Sequence, residues 1–150
     1  MMKRLSFVLW AVLAALLAAC GSAKPTPTPL MELSLTATDI AYDTHQFDVV
    51  AGQPVKLTLH NEGALIHDFS IQKMPHAGEV MAEEADHGME EHDMNTTGPD
   101  PEIHVASPVG ESLSVTFTPI TPGEYEFFCT VAGHKEAGMV GTLVVTAPKG

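Results

Sequence analysis

Beyond Met31, apolar and polar residues alternate with period two through most of the chain. Leu33, Leu35 and Ala37 alternate with Ser34, Thr36 and Thr38. Val55, Leu57 and Leu59 alternate with Lys56, Thr58 and His60, and Leu113, Val115 and Phe117 with Ser112, Ser114 and Thr116. Tyr125, Phe127 and Cys129 share one parity, and Gly141-Thr142-Leu143-Val144-Val145-Thr146 is a closing apolar run. Successive strand side chains point to opposite faces, so these runs predict half-buried strands, and no stretch past residue 31 sustains a 3.6-residue period. Turn residues punctuate them at Ala51-Gly52-Gln53-Pro54, Asn61-Glu62-Gly63 and Pro119-Ile120-Thr121-Pro122-Gly123. About seven short strands spaced in this way predict an all-β fold, a Greek-key sandwich or barrel.

The first residues follow a different pattern. Lys3 and Arg4 precede an apolar run from Leu5 to Ala19 interrupted only by Ser6, which reads as a secretory signal. Its end, Leu17-Ala18-Ala19-Cys20-Gly21, resembles the lipobox of bacterial lipoproteins. That resemblance implies removal of residues 1–19 and lipidation of Cys20. The run is short against the about 20 apolar residues a membrane span needs. Residues 20–31 contain Pro25-Thr26-Pro27-Thr28-Pro29, which favours extended polyproline geometry and a spacer of roughly 30 Å. The prediction is an extracytoplasmic lipoprotein, in the periplasm or at the cell surface, with its folded domain at 32–147.

Charge narrows the partners. The formal net charge is −12, and loss of Lys3 and Arg4 with the signal makes it −14. Nucleic acid is excluded as a partner, and anionic lipid is disfavoured as a docking surface for the domain itself. Basic proteins and cations remain. The two cysteines, Cys20 and Cys129, could form one disulfide, but each has a better local explanation.

That explanation for Cys129 lies in Tyr125–Gly141, where Cys129, His134 and Met139 are spaced C-x4-H-x4-M. A thiolate, an imidazole and a thioether on one loop make up three parts of a trigonal His2Cys copper site with a weak axial Met. His67, which follows the Val55–Leu59 strand and opens the next, can supply the second imidazole from a strand end. Gly133 and Gly138 stand immediately before His134 and Met139, where the backbone must turn tightly. Taken singly, Cys129 would read as a buried thiol, His67 as a strand-end histidine and Met139 as core.

Jointly the pattern resembles the cupredoxins, the small type 1 (blue) copper proteins, from about Leu33 to Ala147. The resemblance includes Phe47-Asp48-Val49-Val50-Ala51-Gly52, Asn61-x-Gly63, His67-Asp68-Phe69 and Pro122-Gly123-x-Tyr125-x-Phe127-x-Cys129. The loop spacing is most similar to auracyanins, rusticyanin and sulfocyanins. It implies one copper held by His67, Cys129, His134 and Met139. Many azurins and plastocyanins carry Asn after the first histidine ligand, where this chain has Asp68. Asp68 is expected to accept a hydrogen bond from Thr130 and orient the loop, and its charge to favour Cu(II).

Between Ile71 and Ser112 no strand pattern is read, and residues 73–111 are taken as a long, partly disordered insert with at most a helical turn near Val80–Met89. The insert is acidic and lacks Lys and Arg beyond Lys73. His87-Gly88-Met89 and His92-Asp93-Met94 repeat H-x-M and, with Met81, form a candidate auxiliary copper set, because thioethers suit Cu(I) and imidazoles Cu(II).

The predicted function is one-electron transfer by a monomeric, membrane-tethered carrier. Its partners would be a cytochrome, an oxidase or another membrane respiratory or photosynthetic complex. Copper delivery through the His/Met insert is the alternative. A fragment of a multicopper enzyme fits less well, because further copper histidines and a second domain are missing. A binuclear CuA centre needs two nearby cysteines.

Overall fold

The computed structural model describes residues 28–85 and 100–149. Among these residues there are ten strands: β1 Met31–Thr38, β2 Ala41–Tyr42, β3 Gln46–Val50, β4 Val55–Asn61, β5 His67–Ile71, β6 Met81–Ala82, β7 Ile103–Ser107, β8 Ser112–Phe117, β9 Gly123–Phe128 and β10 Val140–Thr146. They form two five-stranded sheets, ordered β2-β1-β4-β8-β6 and β3-β10-β9-β5-β7. The pairs β1–β4 and β3–β10 are parallel, and the other ladders antiparallel. Only the β1–β2 and β9–β10 connections stay within a sheet, and every other connection crosses the sandwich.

The alternation in sequence becomes the core. Val55, Leu57 and Leu59 of β4 are fully buried, facing Phe69, Phe127 and Leu143 of the other sheet's strands in one apolar cluster. Phe127 sits at its centre, 5.2 Å from the ring of Phe69, 5.6 Å from Tyr42 and 5.8 Å from Phe47 between centroids. Such offset aromatic contacts add to the area they bury.

Two expectations for residues 73–111 are corrected. Ile103–Ser107 is a full strand at the edge of the second sheet, paired with the whole of β5 from His67↔Ser107 to Ile71↔Ile103. Its own alternation, Ile103 and Val105 in and His104 and Ala106 out, is hidden in sequence beside the acidic run. Near Val80 the chain forms β6, which pairs with β8 through Met81↔Thr116 and Ala82↔Val115, and no helix occurs among the described residues. Met74 is fully buried in the core. The insertion is thus narrower than the sequence pattern indicates.

Candidate metal centre

Cys129 follows the last residue of β9, and Met139 precedes the first of β10. The ladder pairs Val140 with Phe128, and one step on the Cys129 amide donates to the Met139 carbonyl at 3.2 Å. The two sulfur residues are therefore opposite each other at the mouth of the hairpin. Between them the loop is a series of closed turns. The His134 amide donates to the Val131 carbonyl, Ala137 to Gly133, and Met139 to His134, each at 3.0 Å. Gly133 and Gly138 have φ of 84° and 102°, a left-handed backbone that an L side chain would strain.

His67 arrives from β5, the strand hydrogen-bonded to the other side of β9. Its approach is set by the turn before it. The buried Asn61 side chain donates to the carbonyls of Leu65 and Ser107, both at 2.8 Å, and accepts from the Gly63 amide at 3.0 Å. Asp39 accepts from the Ala64 amide at 2.8 Å and ties this turn to the end of β1.

These elements bring His67, Cys129 and His134 together, with their ligand atoms all within 4.8 Å of one another. Cys129 Sγ lies 4.0 Å from His67 Nδ1 and 3.5 Å from His134 Nδ1. A trigonal plane with a metal–sulfur bond of about 2.3 Å and metal–nitrogen bonds of about 2.0 Å has S···N edges of about 3.7 Å. The observed separations bracket that value, so the donors surround a metal-sized position. His67, Cys129 and Met139 are fully buried, and His134 is 5% exposed. The four residues are positioned as a type 1 copper site.

Asp68 is also fully buried. Continuing the β5–β9 register from Ser70↔Phe128 places it opposite Thr130. The Thr130 amide donates to its two carboxylate oxygens at 3.0 and 3.1 Å, and the Thr130 hydroxyl donates at 2.7 Å. Ser70 donates at 2.8 Å. Tyr42 donates its buried hydroxyl to the Asp68 carbonyl. Asp68 thus locks β5 to the loop while its Oδ2 lies 3.7 Å from Cys129 Sγ. Asn61, Tyr42, Ser70 and His104 were not read as part of the site from sequence, although Asn61-x-Gly63 belonged to the resemblance.

Burial, and then the Asp68 charge, push the Cys129 thiol up to about 12. Burial, and then His134, hold the His67 imidazole below its ordinary value. Near neutral pH a metal therefore meets a neutral imidazole and a protonated thiol, and must displace one proton. Apparent Zn(II) affinity is expected to rise about tenfold per pH unit between about 7 and 10, with one proton released per metal in weakly buffered solution. In the metal-free protein the sign reverses. A raised thiol supports folding below its ordinary value, 9.0, and that support is lost as pH climbs toward about 12.

Gly63 makes room for His67. A Cβ there would stand 2.8 Å from His67 Nε2 and 3.1 Å from the Thr38 backbone carbon. Because backbone lies on one side, the ring would have to yield. Gly63→Ala is expected to weaken metal binding by about tenfold, as overpacking strain of this kind costs about 1–3 kcal/mol. A Zn(II) competition titration checks it.

Met81 of the candidate auxiliary set is 62% exposed on β6, and His87, Met89, His92 and Met94 lie outside the described residues. So does Cys20.

The copper-binding plastocyanin/azurin family model matches residues 30–146. The chain belongs to this family. Similar to it are the copper-resistant cuproprotein CopI of Pseudomonas aeruginosa, 28% identical over 130 residues and 71% of each chain, and auracyanin-B of Chloroflexus aurantiacus. The latter is 60% identical over 37 residues, 25% of this chain and 16% of that one. Among solved structures, auracyanin B matches with a TM-score of 0.59 and 25% identity, covering 84% of this chain and 96% of the other. The dithionite-reduced auracyanin of Roseiflexus castenholzii shares the fold, with a TM-score of 0.57 and 22% identity over 80% of this chain and 99% of the other.

Proposed function

We propose that this protein is a one-electron carrier built on a mononuclear type 1 copper centre and tethered at the extracytoplasmic face of a bacterial membrane. The observation that carries the reading is the convergence of two imidazole Nδ1 atoms on one buried thiol, with Met139 paired to that cysteine across the hairpin. Copper held there would alternate between Cu(II) and Cu(I). Cys129 would supply the thiolate, His67 and His134 the imidazoles, and Met139 the weak thioether that tunes potential. Both ends of the loop are fixed in one sheet, and the loop's amides are internally bonded, so the donors keep their positions whatever the charge between them. His134, the ligand nearest solvent, would be the exit for the electron. Leu65 (49% exposed), Val131, Ala132, Ala137 and Val140 would form the apolar surface a partner meets. The net charge of −12 favours a basic cytochrome or oxidase domain, approached as a monomer through brief encounters. The signal, lipidated Cys20 and tether rest on the sequence pattern of residues 1–31, and no enzymatic step is assigned.

Adding Cu(II) to the purified domain tests this. An intense blue colour with a reversible one-electron voltammetric wave is expected, and a colourless protein removes the reading. Similarity to a protein named for copper resistance favours a second one, copper handling with the His/Met segment as collector. Titrating copper into protein whose centre is already filled separates the two, since only the second requires another binding event.

A further inference from the structure

Behind Asp68 the hydrogen bonding continues outward, away from the metal centre. Ser70 Oγ lies 2.8 Å from Asp68 Oδ1 and 2.8 Å from His104 Nδ1. Ser70 is fully buried, whereas His104 is half-buried on the outward face of β7, directly opposite Ser70 in the β5–β7 ladder. The directions of these bonds follow from the proton count. Asp68 accepts from the Thr130 amide and hydroxyl, so it acts as a carboxylate with no proton to give. Ser70 has one proton, and withholding it from Asp68 would leave two acceptor oxygens facing each other at 2.8 Å. Ser70 therefore donates to Asp68, and its oxygen accepts from His104. That requires His104 to carry its proton on Nδ1.

His104 Nε2 bonds no described residue, so a second proton can add there without disturbing the chain. A neutral and a cationic His104 both keep the same three bonds in place. We propose that His104 is the outer end of a chain, His104–Ser70–Asp68–Thr130, that holds the Asp68 carboxylate against the Cys129 loop and carries the charge state of His104 to the metal centre. The proposal rests on the copper reading above. His104 is a positioning residue under it.

The sign follows from charge. A cationic His104 favours the metal state with less positive charge, so the potential is higher with His104 protonated than with it neutral. By linkage, reduction raises the proton affinity of His104 by the same factor. For charges roughly 10 Å apart, an effective dielectric of about 50, between that of a surface pair and that of water, gives about a threefold effect, which converts to about 28 mV at 59 mV per tenfold. Among the described residues, β5 presents Asp68 to His104 through Ser70, and Glu102, just ahead of β7, accepts from the Met74 amide. β4 and β8 turn uncharged side chains, Leu57, Leu59, Val115 and Phe117, toward the core that β7 covers.

Two measurements test it. Nitrogen-15 imidazole spectra of the metal-free protein are expected to show the Nδ1–H tautomer for His104, and Ser70→Ala is expected to release it to Nε2–H. An Nε2–H tautomer in the unmodified protein overturns the chain. Voltammetry of the copper protein from pH 5 to 9 is expected to show the threefold step, lost in His104→Gln and reduced in Ser70→Ala. A step that survives in His104→Gln, or no step with the tautomer as expected, overturns the transmission of charge. A protein that binds no copper defeats the electron-carrier reading instead, and the metal-free spectra still decide the chain.

Discussion

Gly141→Ala is expected to destabilise the fold by about 3 kcal/mol, the upper end of ordinary overpacking costs. The added Cβ would lie 2.1 Å from Phe127 Cζ and 2.6 and 2.7 Å from its two Cε atoms. Gly141 and Phe127 are register partners in the β9–β10 ladder, so the ring lies across the glycine. It has no free direction of retreat, because Tyr42, Phe47 and Phe69 hold it at centroid distances of 5.2 to 5.8 Å. Relief must come from separating the strands, and Cys129 and Met139 are two residues further along the same ladder. A loss of about 10 °C in Tm is expected, together with weaker metal binding. Gly110→Ala is the control, since a Cβ there meets nothing within 4 Å and φ is 78°. It should cost only the left-handed backbone penalty of about 1–2 kcal/mol. Equal losses in the two variants would refute the ring-contact account.

Much of this architecture is visible in sequence where one face of a strand is wet. β1 and β4 alternate cleanly because their outer faces carry Thr, Ser and Lys and their inner faces the core, and β8 shows the same sequence alternation although Ser114, whose amide donates to Glu83, is itself buried. β5 does not, since all five of its residues are buried and two of them are Asp68 and Ser70. Its polar side chains make sense only with Thr130 and His104 beside them. β7 was hidden for another reason. Five residues between Pro101 and Pro108 alternate as a strand should, but they follow an acidic stretch whose composition dominates any window that includes both. The ligands divide in the same way. Cys129, His134 and Met139 are a local pattern, because the hairpin that carries them is local, and its register puts the two sulfurs opposite each other. His67 reaches them across the β5–β9 pairing, a contact between residues about sixty positions apart, so in sequence it is a candidate only by its strand-end position until the resemblance makes it a ligand. The Ser70–His104 link also crosses two strands and has no motif of its own.

Asp68→Asn is expected to raise the midpoint potential of the copper protein by about 100–150 mV. The carboxylate is fully buried, and its Oδ2 stands 3.7 Å from the Cys129 sulfur. For a charge roughly 5 Å from the metal, an effective dielectric of about 20 gives an interaction of about 3 kcal/mol. At 59 mV per tenfold that is about 140 mV. The carboxylate favours Cu(II), so removing its charge favours Cu(I) and the potential goes up. Asparagine is the informative replacement because it nearly preserves the bonding. Its carbonyl, on the Oδ1 side, can accept from the Thr130 amide and the Ser70 hydroxyl, and the Thr130 hydroxyl on the other side can turn to accept from its amide group. Alanine would instead leave buried donors without partners at about 1–3 kcal/mol each, mixing stability with potential. The same substitution should lower the Cys129 thiol from about 12, since Asp68 is the second cause of its elevation after burial. Metal loading should then extend to lower pH, while thermal stability changes little. A potential that rises together with an easier deprotonation of Cys129 identifies the charge of Asp68 as the cause. An unchanged potential would mean that the three donors of Thr130 and Ser70 already neutralise the carboxylate's field at the metal.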